Sequence, residues 1–333
     1  MRLTIAIPTY NRNDILLKNI RLLLPQLNNQ CKLIIIDNCS DFPVKETLKD
    51  ILCGFKHIEI KRNSINIGGN ANIMRCFEYC ETPYLWILGD DDPVKEDAIR
   101  IIFNNLEKKP DCTFFNFNTL IENDIIRDKT YFTKGAYEFV KGIDSFGRLL
   151  LISSNIYKVT EELKKSVIAG NLYQYSSAAH IVTLLLSLGN NSICCFSQEE
   201  IVMHGYNATP MELQGSPVVM ALGLPIIFDL PLDFKVREEL RNKILSWMKP
   251  RTVVRQLLLM SKFEDKKDEA RYLYFIIRRR LFSLNRSLTI KMQLLLFDLF
   301  IIFPNLGFRV FAFFYKKTKG RSLNKDILAG RTF

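Results

Sequence analysis

The stretch Tyr84-Leu85-Trp86-Ile87-Leu88-Gly89-Asp90-Asp91-Asp92 decides the fold class. An apolar run followed by a glycine and three acids reads as a strand, buried on both faces, that stops at a cluster of negative charge. Carboxylates gathered at a strand end repel one another unless a cation neutralises them. Mg2+ or Mn2+ suits that role, because hard cations take carboxylate oxygens and complete their shells with phosphates. The alternative is a solvated acidic turn that caps a helix beginning after Pro93. On these residues alone both readings stand.

Upstream, Asn66-Ile67-Gly68-Gly69-Asn70-Ala71-Asn72 is a glycine-rich turn entering a helix, where backbone amides can hold an anion. Asn and Gly also dominate ordinary turns, so this segment is weak by itself. Leu33 to Ile36 is a second aliphatic run, ended by Asp37-Asn38. A third, Leu3 to Ile7, ends at Pro8 and is followed by Thr9-Tyr10-Asn11-Arg12. Asp14 then caps a helix that carries Ile15, Leu16, Ile20, Leu23, Leu24 and Leu27 at helical spacing. Further strands are expected at Ile58 to Lys61 and Thr113 to Phe117, with helices at Val44 to Leu52, Ala71 to Tyr79 and Glu96 to Leu106. This alternation predicts an α/β fold with a mixed, mainly parallel sheet and flanking helices. Ligands of such sheets bind beyond the carboxyl ends of the strands, so the three polar clusters are expected along one edge.

Beyond residue 118 the pattern is more mixed, with a helix expected from Ala178 to Leu188 and strands at Ser192 to Phe196 and Ile201 to His204. The net charge of +11 is unevenly placed. Residues 1–225 carry 23 Lys/Arg against 25 Asp/Glu, whereas residues 226–333 carry 23 against 10. This last, largely helical third includes Leu294 to Phe303 and Phe308 to Tyr315, two apolar segments interrupted by Asp298, Pro304, Asn305 and Arg309. The interruptions disfavour a spanning helix, and two amphipathic segments lying in an anionic membrane interface fit better. Arg278-Arg279-Arg280 adds attraction to such a surface. The alternative is a helical appendix packed on the rest of the chain or forming a homodimer. Nucleic acid is not expected, since the basic residues flank an apolar stretch and form no recognition module. The amino terminus lacks the apolar length and cleavage site of a secretory signal. Eight cysteines without CxxC or zinc-ligand spacing read as reduced, buried thiols of a cytoplasmic protein.

In their order, Ile7-Pro8-Thr9-Tyr10-Asn11-Arg12, Ile34-Ile35-Ile36-Asp37-Asn38, Asn66 to Asn72 and Leu85 to Asp92 resemble the pattern of glycosyltransferase family 2. The resemblance implies a GT-A, Rossmann-like fold, with a nucleotide-sugar-binding half at 1–117, an acceptor-binding half at 118–225 and the basic helical region at 226–333. It implies that Pro8, Thr9, Tyr10, Asn11, Arg12, Asp37 and Asn38 lie beside the base and ribose of a UDP-, GDP- or dTDP-sugar. Asn66, Gly68, Gly69 and Asn70 would lie near the donor, and Asp90, Asp91 and Asp92 would form the DxD motif for Mn2+ or Mg2+. Asp92 is then the most direct metal ligand, with Asp90 or Asp91 near the ribose or the metal's waters. His204 is expected either as an additional metal ligand or as a simple strand-end histidine.

Two places depart from the family pattern. Arg75 stands near the position of a phosphate-facing arginine, and equally reads as a solvated helix residue. Where inverting members carry a Glu-Asp pair supplying the general base, this chain has Ser177 and Ala178. His180 is the nearest proton acceptor, with Glu199 and Glu200 as substitutes. The resemblance implies inverting transfer of a hexose-type sugar to a hydroxyl of a lipid-linked glycan, on the cytoplasmic face of the membrane. The competing readings are a sugar-phosphate nucleotidyltransferase, whose basic glycine-rich amino-terminal loop is absent, and a membrane-bound scaffold without activity.

Overall fold

The computed structural model describes residues 1–333 except 53–54, 120–125, 204–216, 262–265, 285–286, 308, 311–312 and 314–333. Two compact units divide the chain, the first comprising Met1–Asn207 with Leu230–Leu240 and the second Ala208–Asp229 with Arg241–Phe333.

The first unit is built on strands β1 (Leu3–Thr9), β2 (Cys31–Asp37), β3 (Ile58–Arg62), β4 (Tyr84–Ile87), β5 (Cys112–Asn118), β6 (Tyr131–Lys134), β7 (Asn155–Lys158) and β8 (Ile193–Glu200). They form one sheet in the order β3-β2-β1-β4-β7-β5-β8-β6. Helices α1 (Asn13–Leu23), α2 (Val44–Leu48), α3 (Gly69–Glu78) and α4 (Ala98–Lys108) provide the crossovers of the first half. Helices α5 (Gly135–Gly142), α6 (Phe146–Leu150), α7 (Glu161–Leu172) and α8 (Ala179–Ser187) belong to the second.

Pairings β1–β2, β1–β4, β2–β3 and β5–β8 are parallel, whereas β4–β7, β5–β7 and β6–β8 are antiparallel. The mixed, mainly parallel sheet expected from the alternation is present. The sequence pattern did not single out β6 or the reversed β7. Because β7 runs against both β4 and β5, those two strands are parallel to each other. The carboxyl ends of β1, β2, β4, β5 and β8 therefore share one edge. Of the strand expected at Ile201 to His204, the described part is a single antiparallel bridge between Val94 and Val202.

Apolar side chains on both faces bury the central strands, with Ile5, Ile35 and Trp86 on one face and Ala6, Ile34 and Leu85 on the other, each at 0% exposure. Helix α1 turns Leu16, Ile20 and Leu23 onto this core, and α4 adds Ile99, Ile102 and Leu106. At the edge of the second half, Arg127 and Arg148 are buried around a single acid, Asp144.

In the second unit, α9 (Pro217–Gly223), α11 (Pro250–Met260), α12 (Lys267–Arg280) and α13 (Leu288–Ile302) pack together, while α10 (Phe234–Trp247) spans the division between the units. Val253, Val254, Leu257, Tyr274, Ile277, Leu294, Phe297 and Phe300 make the core of this helical bundle. Asp298 does not break α13. Arg278 grips it with Nε and Nη2 at 2.6 and 2.8 Å, and the Tyr274 hydroxyl donates to it at 2.6 Å. Among the described residues no helix is long and apolar enough to cross a membrane.

Candidate functional site

The carboxyl ends of β1 and β4 meet at the acid cluster. The Thr9 hydroxyl, at the end of β1, donates to Asp90 Oδ2 at 2.7 Å. Arg12 Nη1 lies 3.2 Å from Asp90 Oδ1 and 3.0 Å from Asp91 Oδ2, placing a guanidinium between two carboxylates. Asn19, a polar residue on the buried stripe of α1, donates to the Asp90 carbonyl at 2.6 Å. Burial pushes the Asp90 carboxyl up to about 6, against the downward pull of Thr9 and Arg12. Asp92 is equally buried, and its Oδ2 accepts from the Ser153 hydroxyl at 2.6 Å. Asp91 is the more exposed of the three.

Asp37 closes β2, and its side chain is turned inward. It accepts from the Ser40 amide at 2.8 Å and the Val44 amide at 3.3 Å, and it pairs with Arg62 at the end of β3. Asn38 braces the glycine turn: its Nδ2 donates to Asn66 at 2.7 Å, and its Oδ1 accepts from the Ile67 amide at 3.0 Å. Asn72 ties the first turn of α3 to the Ile36 carbonyl at 3.0 Å. Gly68 has φ +86° with open space around a notional Cβ, so backbone conformation alone calls for glycine there. Asn70 donates to the Gln174 carbonyl at 3.0 Å, joining this turn to the second half. Tyr10 is exposed beside the cluster, and Asn11 adopts φ +52°, a left-handed conformation that asparagine tolerates.

Pro8, Thr9, Tyr10, Asn11, Arg12, Asp37, Asn38, Asn66, Gly68, Gly69, Asn70 and the three acids thus lie at the ends of neighbouring parallel strands or on the turn braced against them. Arg75 is placed differently: it pairs with Glu78 at 2.7 Å on the exposed side of α3, the arrangement of a solvated helix arginine. His180 is 3% exposed at the start of α8, and burial pushes its imidazole down to about 4. Glu200 ends β8, partly exposed and paired with Lys95. Glu199 accepts from Asn105 at 2.6 Å. His204 lies outside the described residues. The described chain runs to Met203, whose amide donates to the Pro93 carbonyl at 2.8 Å, one residue beyond Asp92.

Among the described residues no three carboxylates, imidazoles or thiols are grouped as a complete metal cage. The acids instead offer an oxygen-only set already bridged by the guanidinium of Arg12. Such a set fits a hard cation held by one or two carboxylates with phosphates completing its shell. Asn19, Arg62 and Ser153 were not singled out from the sequence, and Asn72 was quoted only as the last residue of the glycine-rich turn. A polar residue on an otherwise apolar helix stripe is the signal that exposes Asn19 and Asn72, whereas Ser153 carries none.

The family model described as glycosyl transferase family 2 matches residues 4–147. Abequosyltransferase RfbV of Salmonella typhimurium is 31% identical over 119 residues, which are 33% of this chain and 34% of that protein. The match therefore spans about a third of the length of this curated relative. The S. aureus TarS 1-349 structure aligns with a TM-score of 0.57 at 13% identity, covering 85% of this chain and 83% of TarS 1-349. Its complex with UDP-GlcNAc gives 0.57 at 12% identity, covering 85% and 84%. At these identities the likeness is one of fold.

Proposed function

We propose that this chain transfers a hexose-type sugar from a UDP-, GDP- or dTDP-linked donor to a hydroxyl of a glycan, with inversion, a reading supported by the match of residues 4–147 to the glycosyl transferase family 2 model. The observation that carries this reading is the Thr9–Asp90–Arg12–Asp91 constellation at the meeting of β1 and β4, with the turn Asn66 to Asn70 braced on Asn38 after the neighbouring β2. The abequosyltransferase and the UDP-GlcNAc-bound TarS agree with a nucleotide-sugar donor.

The residues have separable tasks in this reading. Amides at the start of α3 face the donor diphosphate, favoured by the helix terminus. Tyr10 and the Asn38 segment border the base and ribose. Arg12 neutralises Asp90 and Asp91 before the donor arrives and can turn to phosphate afterwards. Asp92 and Asp90 would hold Mn2+ or Mg2+, which supplies neutralisation of the leaving diphosphate, and His204 is proposed as a further ligand. Proton acceptance falls to Glu200. It sits on the edge shared with the acids and is partly exposed, whereas buried His180 holds a proton too weakly to serve well near neutral pH.

The exposed face of α13 extends the proposal to a peripheral position on an anionic membrane, where a lipid-linked acceptor would be met. The decisive experiment is sugar transfer or donor hydrolysis with Mn2+, comparing wild type and Asp92→Ala. A loss of about 100-fold or more is expected, and undiminished metal-dependent turnover in the variant would sink the site. Donor binding without turnover across a broad acceptor panel would instead support the inactive scaffold.

A further inference from the structure

Ser153 is fully buried, and β4 with its following loop wraps around it. Its hydroxyl accepts from the Gly89 amide at 2.7 Å and donates to Asp92 Oδ2 at 2.6 Å. Its carbonyl accepts from the Trp86 indole at 2.9 Å. One residue from the second half of the sheet is therefore fixed to three positions along the strand and turn that present the acids.

The segment carrying Ser153 is itself anchored. Asn155 Nδ2 donates to the carbonyls of Leu149 and Leu151 at 2.8 and 3.1 Å, and its Oδ1 accepts from Asn116 at 2.8 Å. Ser154 shares a 2.9 Å hydrogen bond with Thr119. Little freedom remains for the hydroxyl to drift away from Asp92. Gly89 completes the fit from the other side. A Cβ there would stand 2.7 Å from Asp92 Oδ2 and 3.2 Å from Ser153 Oγ, so a side chain would press directly on this contact.

The geometry points to Ser153 as a positioning residue that, with Gly89, fixes the rotamer of Asp92 for cation binding. A hydroxyl that donates to one carboxylate oxygen sets the orientation of the other, and such outer partners tune metal affinity strongly. The inference rests on the donor-site reading proposed above and adds to it a residue distant in sequence from the acids.

The test is Mn2+ binding to the full chain, followed by the EPR signal of the free ion, with Mn2+ alone and with UDP, GDP or dTDP. Circular dichroism and thermal melting accompany each variant. Ser153→Ala is expected to weaken Mn2+ binding about 10- to 100-fold. Ser153→Thr, which keeps the hydroxyl, should retain most of the affinity, and Gly89→Ala should lose it with the hydroxyl still present. A folded Ser153→Ala protein with wild-type Mn2+ affinity overturns the inference while leaving the donor site intact. Should that variant fail to fold, wild-type affinity in Gly89→Ala overturns it equally. Wild-type protein that binds no Mn2+ under any of these conditions removes the donor-site reading and this inference together.

Discussion

At the scale of single residues, the proton economy of the second half separates two candidates that the sequence left side by side. His180 has lost its water, so its imidazolium is disfavoured. Glu200 keeps partial exposure at the end of β8 and is paired with Lys95. We expect Glu200→Gln to lower kcat about 100-fold or more while the donor KM changes little. His180→Gln should act mainly on thermal stability. The reverse ranking in steady-state kinetics would return the role to His180. Sequence made the strand-end cluster legible for a simple reason. Thr9, Arg12, Asp37 and Asp90 each follow an apolar strand, and parallel strands put such residues on one edge. It gave no route to Ser153, whose importance comes from a contact across 61 positions, nor to Arg62, an unremarkable basic strand end until it meets Asp37.

At the scale of elements, β7 is the departure with the largest consequence. Asn155-Ile156-Tyr157-Lys158 offers only two apolar positions, too few for a periodic signal, yet it occupies the middle of the sheet. Its reversed direction lets β5 and β8 bring Glu200 to the edge where the acids lie. The neighbouring Arg127–Asp144–Arg148 group braces that edge. Arg127 Nε and Nη2 contact Asp144 at 3.0 Å, Arg148 Nη1 contacts it at 2.9 Å, and Arg127 also donates to the Asn116 and Ser197 carbonyls on β5 and β8. Burial pushes the Asp144 carboxyl upward, but the two guanidiniums outweigh it and hold the group below its ordinary value. An acid whose folded value is depressed stabilises the protein above its unfolded value of about 3.9, and that contribution fades as pH falls through the lower folded value. Asp144→Asn leaves two buried cations without their acid and should cost about 3–5 kcal/mol near neutral pH. Chemical denaturation measured from neutral to acid pH checks this, since the gap between variant and wild type should narrow as Asp144 protonates. A gap independent of pH would mean that the carboxylate charge does not brace the edge.

At the scale of the whole molecule, the basic charge and a stripe of exposed apolar side chains among the described residues fall on the same unit. Helix α13 is apolar nearly all round, a composition suited to burial on every side. Leu294, Phe297, Phe300 and Ile301 face the bundle, while Leu288, Met292, Leu295, Leu299 and Ile302 form an exposed stripe at helical spacing. Exposed Lys291, Arg279 and Arg280 belong to the same helical unit. A contiguous apolar strip of this kind in water marks a surface that something covers. An apolar stripe accompanied by an excess of cations suits an anionic lipid surface better than a second, equally basic copy, because like charges oppose self-association. Flotation with vesicles of phosphatidylcholine alone, or mixed with phosphatidylglycerol, should show binding only to the mixture and release at high salt. Leu295→Asp with Leu299→Asp should abolish flotation without unfolding the bundle, since both side chains point away from its core. Arg279→Gln with Arg280→Gln should weaken it by about 2 kcal/mol, near 1 kcal/mol for each charge removed. Flotation that survives both pairs, or a dimer that dissociates in the Leu295/Leu299 variant during sedimentation, would reassign the stripe to an interface between copies of this chain.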